Sequence, residues 1–212
     1  MNIPAPYQTL IFDLGGVLIN YDLEADVEAL ASVGLPDYFS WSQYPGLQQV
    51  CNAYLNGLST EDDFLRQLRP FARPDATDDE LIHSMIAVMA DLPKSRLDTL
   101  AALRQRGHRL VLLSNINERT WRYSEHQFLR AGYRVTDIFA EADVFLSFRL
   151  GLAKPDTAIY RHVIGQTGID PSRALFLDDT AANVEAARSV GITSILVPMN
   201  HSEEPLQELL AM

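Results

Sequence analysis

An aspartate at the end of a short apolar run is the first residue in this sequence that can do chemistry. Asp13 follows Leu10-Ile11-Phe12 and precedes the pair Gly15-Gly16. This pattern predicts a buried strand that leads into a tight turn. A carboxylate there can attack a phosphoryl group, and the backbone N–H groups of the turn can hold the phosphoryl oxygens. The alternative is that Asp13 caps the turn through its own backbone.

A second acidic group, Asp178-Asp179, ends another apolar run. Two adjacent carboxylates repel each other unless a cation lies beside them. Mg²⁺ suits such a pair, because it binds one or two protein carboxylates together with phosphate oxygens and water. The alternative is an N-cap for the helix predicted to begin near Ala181, where aspartate is favourable.

Two further groups add hydrogen-bond donors and a positive charge. Ser114 and Asn115 follow a third apolar run and can donate hydrogen bonds to phosphate oxygens, although both are also ordinary turn residues. Lys154 precedes Pro155 and Asp156, which favour the start of a helix. A lysine there can offset the charge of carboxylates and phosphate, or it can be a solvated surface residue.

The elements that must position these groups alternate between strand and helix. Strands are predicted at Thr9–Phe12, Arg109–Leu113, Val144–Ser147, Ala174–Leu177 and Ser194–Val197. Helices are predicted at Arg96–Arg106, Trp121–Ala131, Ala158–Thr167 and Ala181–Val190. The predicted fold class is therefore α/β: a Rossmann-like parallel sheet with helices on both faces. Ligands bind at the carboxyl ends of such strands, so the polar groups are expected to meet at one rim.

The stretch from 21 to 90 lacks this alternation of strand and helix. It carries helical patterns separated by turn signals, and Ser59-Thr60-Glu61-Asp62 predicts a capped helix start. No strand pattern is visible there. We therefore expect an α/β core domain formed by 1–20 and 91–212, with a helical cap inserted at 21–90.

Composition narrows the classes of function. With 212 residues, 47% of them hydrophobic, the chain can bury a full core. A net charge of -11 without a Lys/Arg cluster argues against nucleic-acid binding. The single cysteine, Cys51, cannot form an internal disulfide, and no apolar run approaches the ~20 residues of a membrane span. We expect a cytoplasmic protein that binds a small phosphorylated molecule, away from membranes, as a monomer or homodimer.

Four polar groups together resemble the motifs of the haloacid dehalogenase-like (HAD) hydrolase superfamily. In their order along the chain, they are Asp13, Ser114-Asn115, Lys154-Pro155 and Asp178-Asp179. The resemblance spans nearly the whole chain, and the segment from Phe176 to Ala187 is especially typical. The helical insert resembles the C1 type of cap. The pattern is most similar to bacterial glucose-1-phosphatase-type members and to the phosphatase domain of soluble epoxide hydrolases.

This resemblance implies a Mg²⁺-dependent phosphatase and a role for each matching residue. Asp13 would be the nucleophile that forms an aspartyl-phosphate, with Lys154 balancing charge and orienting it. Ser114, Asn115 and Lys154 would bind the substrate phosphate, and Asn183 would support the metal loop. The metal ligands would be Asp13, the backbone carbonyl of Gly15, Asp178 directly or through water, and Asp179.

One position departs from the family pattern. Most phosphatases of the superfamily carry a second aspartate two positions after the nucleophile, as general acid and base, and this chain has Gly15 there. A general acid–base contributes roughly 10²–10⁴ in rate. The chain can act on an ester with a good leaving group, such as an aldose 1-phosphate, or move the proton through water or Asp22. Two other functions stay open: a non-catalytic protein that binds Mg²⁺ and phosphate, and a haloacid dehalogenase.

Overall fold

A computed structural model describes residues 7–211, without the side chains of Tyr38 and Phe39. Residues 1–6 and 212, which the predicted core domain includes, lie outside the described part. The described strands are β1 (Thr9–Phe12), β2 (Arg109–Ser114), β3 (Val144–Leu146), β4 (Ala174–Asp178) and β5 (Thr193–Leu196). They form one parallel sheet in the order β3-β2-β1-β4-β5, with β1 at the centre. This confirms the predicted α/β sheet.

Helices cover both faces of the sheet because successive strand residues point to opposite sides. The helices of this part are α5 (Lys94–Gln105), α6 (Glu118–Arg130), α7 (Val135–Ile138), α8 (Ser147–Leu150), α9 (Thr157–Thr167), α10 (Ala181–Ser189) and α11 (Glu203–Ala211). Leu10 and Phe12 of β1 pack in one apolar cluster with residues of α5, α6 and α11. Ile11, between them, packs in another with residues of α9 and α10. The predicted burial of the sheet on both faces is therefore confirmed.

The stretch between β1 and α5 is helical, as predicted. It contains α1 (Leu23–Ser32), α2 (Pro45–Leu55), α3 (Glu61–Leu68) and α4 (Asp78–Ser84), with 3₁₀ turns at Tyr38–Gln43 and Arg69–Phe71. These elements bury a third apolar cluster of their own, which includes Trp41, Cys51 and Phe64. The expected start of α3 is present, with Thr60 as its N-cap. The domain boundaries at 20/21 and 90/91 stay a prediction.

Several predicted bounds differ from the structure by one to three residues, and hydrogen bonds account for two of these differences. The strand predicted to end at Ser147 stops at Leu146, and Ser147 begins α8. The buried Ser147 hydroxyl donates to the Leu55 carbonyl at 2.6 Å and accepts from the Ile116 N–H at 2.9 Å, so it joins two loops instead of continuing the strand. Helix α6 begins at Glu118 rather than at Trp121, because Asn117 caps it.

Candidate active site

The centre of the sheet brings two of the predicted acidic groups side by side. Asp13 follows β1, and its N–H donates to the carbonyl of Leu177 in β4 at 3.0 Å. Asp178 is the next residue of β4, and Ser114 ends β2 on the other side of β1. The three strand ends therefore meet at one rim, as the sequence predicted.

Lys154 lies between two of these carboxylates. Its Nζ is 2.8 Å from Oδ1 of Asp13 and 2.7 Å from Oδ2 of Asp178, and the side chain is almost fully buried. The Asn115 amide fixes the backbone at this point: it donates to the Lys154 carbonyl at 2.7 Å and accepts from the Lys154 N–H at 2.9 Å. Asn115 thus positions the lysine, and its predicted contact with phosphate stays a prediction.

Burial and charge shift the pKa of both partners in the Lys154–Asp13 pair. Burial raises the pKa of Asp13 to about 8, while the Lys154 charge lowers it and the Asp178 charge raises it again. Burial alone would lower the pKa of Lys154, but the two carboxylates outweigh it and the pKa is raised. The lysine therefore stays charged. One lysine does not offset the buried negative charge around Asp13, so a further cation favours its ionised form.

Asp13 is held by one of its two oxygens. Oδ1 accepts from the backbone N–H of Leu14 at 2.7 Å as well as from Lys154. Within residues 7–211, Oδ2 accepts no hydrogen bond. This leaves one carboxylate oxygen available for a metal ion or for a reaction.

Asp178 is surrounded by donors on both oxygens. Besides Lys154, it accepts from the Thr180 N–H at 2.8 Å and from Asn183 Nδ2 at 2.9 and 3.2 Å. It is fully buried. Asn183 therefore holds Asp178, its predicted support of a metal loop stays a prediction, and Asp178 is a fixed acceptor for Lys154.

Oxygens of Asp13, Asp178 and Asp179 all lie within 4.8 Å of one another, a spacing at which three carboxylates can hold one metal ion. Asp179 is only half-buried, and burial together with the Asp178 charge raises its pKa. Gly16 has φ of 73°, and a Cβ there would lie 2.1 Å from Oδ2 of Asp179, so only glycine allows this approach. Hard carboxylate oxygens without nitrogen or sulfur suit Mg²⁺, so the residues fit that ion.

Ser114 is the third predicted group at the rim. It is buried at the end of β2, and its hydroxyl makes no hydrogen bond within the described chain. It is therefore available to a ligand. Gly15 lies in the turn after Asp13, and its predicted role as a carbonyl ligand stays a prediction.

Two residues outside the predicted site, Arg96 and Asn200, hold the turn that follows Asp13. Arg96 is buried, and its guanidinium donates to the carbonyls of Leu18 and Asn200 at 2.9 and 2.8 Å. Asn200, which has φ of 65°, donates its N–H to the Gly16 carbonyl at 2.7 Å. Asparagine tolerates this left-handed conformation, which is the only signal in the sequence that marks the position.

This fold and site define a hydrolase class, and a family model identifies it. A model described as haloacid dehalogenase-like hydrolase matches residues 7–191. The chain therefore belongs to this family of enzymes, as its motifs implied. In residues 7–211, no helix is both long and apolar enough to span a membrane.

Particular relatives are phosphatases. D-ribitol-5-phosphate phosphatase of Bacteroides thetaiotaomicron is 26% identical over 87% of this chain and 88% of its own. Sesquiterpene phosphatase of Aspergillus oryzae is 26% identical over 89% of each chain. A HAD-family enzyme of B. thetaiotaomicron, solved with magnesium and inorganic phosphate, matches with a TM-score of 0.83 and 28% identity, covering 95% of this chain and 99% of that one.

Proposed function

We propose that this protein is a Mg²⁺-dependent phosphatase that hydrolyses a small phosphate monoester through an aspartyl-phosphate on Asp13. The observation that carries the proposal is the buried Asp13–Lys154–Asp178 arrangement beside Asp179. Asp13, the Lys154 ammonium and a group of three carboxylates lie together there, which supports the roles of Asp13 as nucleophile and of the carboxylates as metal ligands. The phosphatase relatives, and the magnesium and phosphate in a related structure, support the same reaction.

The chain's own residues share the work of the first step. Asp13, fixed through Oδ1, attacks phosphorus in line with the departing ester oxygen. Lys154 keeps Asp13 oriented and offsets charge on the phosphoryl oxygens, to which Ser114 and Asn115 donate. In the second step water attacks phosphorus, releases phosphate and restores the Asp13 carboxylate.

Asp13, Asp178, Asp179 and the carbonyl of Gly15 would hold Mg²⁺. When bound, the ion supplies charge neutralisation for the phosphoryl oxygens and favours the ionised form of Asp13. Asp178 already accepts three donors, so we assign direct contact first to Asp13 and Asp179.

The substrate is proposed from chemistry and from the relatives. An aldose 1-phosphate has a good leaving group, which suits a site with Gly15 in place of an acid. Because one relative is a D-ribitol-5-phosphate phosphatase, sugar-alcohol phosphates are a second candidate class of substrate. Their alkoxide leaves with more difficulty. We place the enzyme in the cytoplasm, without a nucleic-acid or membrane partner, as a monomer or homodimer.

The test measures phosphate release from p-nitrophenyl phosphate, sugar 1-phosphates and sugar-alcohol phosphates. Wild type and Asp13→Asn are compared, each with Mg²⁺ and with EDTA. We expect turnover only for wild type with Mg²⁺. Binding of Mg²⁺ and phosphate with no turnover on any ester would instead indicate the non-catalytic alternative. Release of halide from a haloacid in EDTA would indicate a dehalogenase.

A further inference from the structure

The ring of Tyr21 occupies the side-chain space of Gly15. A Cβ built on Gly15 would lie 2.0 Å from Oη of Tyr21 and 2.4 Å from its Cζ. These separations are far below van der Waals contact, so the phenol stands where the first atoms of a longer side chain at position 15 would be. Gly15 follows Asp13 by two residues. A hydroxyl group therefore lies against the turn that carries the nucleophile.

The backbone of Tyr21 is fixed in this place by Asn200. The Tyr21 N–H donates to Oδ1 of Asn200 at 2.7 Å, and Nδ2 of Asn200 donates to the Tyr21 carbonyl at 2.9 Å. The backbone N–H of Asn200 binds the Gly16 carbonyl at 2.7 Å, and buried Arg96 binds the Asn200 carbonyl at 2.8 Å. One residue thus ties the backbone of Tyr21 to the turn that follows Asp13, and this fixes the point from which the phenol extends.

The other polar side chains near this turn are less suited to donate a hydrogen bond to a leaving group. The ammonium of Lys154 contacts Asp13 and Asp178 at 2.8 and 2.7 Å. Asp22, which the sequence suggested as a proton carrier, is exposed and accepts from the Ala25 N–H at 2.9 Å as the N-cap of α1. Asp178 and Asp179 are acceptors when ionised. The Tyr21 hydroxyl is a hydrogen-bond donor beside the turn that carries Asp13, and none of these residues supplies such a donor there.

The geometry points to Tyr21 as a catalytic residue that donates a hydrogen bond from Oη–H to the departing ester oxygen. This rests on the proposed phosphatase function. As the bond from Asp13 to phosphorus forms and the ester P–O bond breaks, negative charge grows on the leaving oxygen, and a fixed donor there stabilises it. Tyr21 keeps its proton, and the departing oxygen is protonated by solvent water. Such help lets the site cleave esters of poor leaving groups.

The test compares two esters in Tyr21→Phe, which removes only the hydroxyl. One is ribitol 5-phosphate, whose alkoxide leaves with difficulty, and the other is p-nitrophenyl phosphate, whose phenolate leaves readily. Loss of one such donor costs about 10²-fold. We expect kcat/KM to fall about that much for ribitol 5-phosphate and less than about threefold for p-nitrophenyl phosphate. Tyr123→Phe is the matched control: its hydroxyl contacts the Met89 carbonyl, and its loss should leave the ratio of the two rates unchanged.

The outcomes separate this inference from the proposed function. An equal loss on both esters would show that Tyr21 only supports the fold, and no loss on either would show that its hydroxyl plays no part, so each would overturn the inference alone. Wild-type protein that releases phosphate from neither ester, and from no other ester in the screen, would overturn the proposed function and this inference with it.

Discussion

Replacing Gly57 with alanine should disturb the site from a distance. Gly57 follows α2 in the helical insert, has φ of 67°, and packs on the backbone of Phe148 in α8. A Cβ there would lie 2.0 Å from the Phe148 carbonyl oxygen, whereas real Cβ contacts are essentially never under 3.0 Å. Backbone cannot rotate away as a side chain can, so the two segments must separate by about 1 Å, the difference between these distances.

This contact is coupled to the residues that bind phosphate in our proposal. Next to it, Ser147 joins the Leu55 carbonyl of the insert to the N–H of Ile116, which follows Asn115. Asn115 in turn fixes the backbone of Lys154. A misplacement of about 1 Å far from the chemistry can cost about 10²-fold in rate. We therefore expect Gly57→Ala to lower kcat/KM for p-nitrophenyl phosphate by about 10–10².

Gly132→Ala is the matched control for backbone strain. Gly132 also has a positive φ, 88°, but a Cβ there meets no atom within 4 Å. Both substitutions pay the strain of an L-residue in this region, about 1 kcal/mol, which urea unfolding measures. Only Gly57→Ala should lose activity in a phosphate-release assay at matched folded fraction. Equal kcat/KM values for the two variants would refute the coupling.

Three further perturbations have expected results. Lys154→Met leaves two buried carboxylates without their cation. It should therefore lower kcat at neutral pH by at least about 10³-fold, measured in stopped assays, and the free energy of unfolding by up to about 3–5 kcal/mol, measured by urea unfolding. Asp26→Asn should become more stable relative to wild type by about 2 kcal/mol as pH rises from about 4 to about 8. Burial, with the charge of Asp37, raises the pKa of Asp26 from 3.8 to about 6 in the folded protein. The protonated Asp26 carboxyl therefore stabilises the wild-type fold at low pH, and this stabilisation is lost as pH rises through about 6. Arg119→Ala should cost less than about 1 kcal/mol, and less still in high salt, because its pair with Glu61 is partly exposed.

Each of these three predictions would be contradicted by a specific result. Activity within tenfold of wild type in Lys154→Met would show that the buried cation is dispensable. A stability difference between Asp26→Asn and wild type that does not change with pH would show that Asp26 titrates normally. A cost for Arg119→Ala that exceeds about 2 kcal/mol and ignores salt would show that the pair with Glu61 is not a surface ion pair.

The regular part of the fold was predictable from local pattern. β1 was predicted with its observed bounds, because a buried threonine and three buried apolar residues are followed by Asp13 and a glycine pair. Thr60 marked the start of α3, since a capping side chain and early acidic residues are local signals. The short α8 was missed because its first residue, Ser147, is fixed by partners at Leu55 and Ile116 that lie far away in sequence.

The site residues also fall into those that local pattern predicts and those that depend on distant contacts. Asp13 and Asp178 could be predicted because each ends an apolar strand, and a parallel sheet brings strand ends together. The position of Tyr21 could not, since it depends on hydrogen bonds to Asn200, 179 residues away. The sequence did show that Gly15 lacks a side chain, but only the structure shows which residue fills its space.

The most direct test of the account is to look for a phosphoryl group on Asp13. Wild-type protein is mixed with Mg²⁺ and p-nitrophenyl phosphate, quenched in acid within the first turnover, and analysed by mass spectrometry of its peptides. The account predicts a phosphoryl adduct on the peptide that contains Asp13, located at that residue and absent from Asp13→Asn. Phosphate release without any adduct on Asp13, or undiminished turnover by Asp13→Asn, would contradict it.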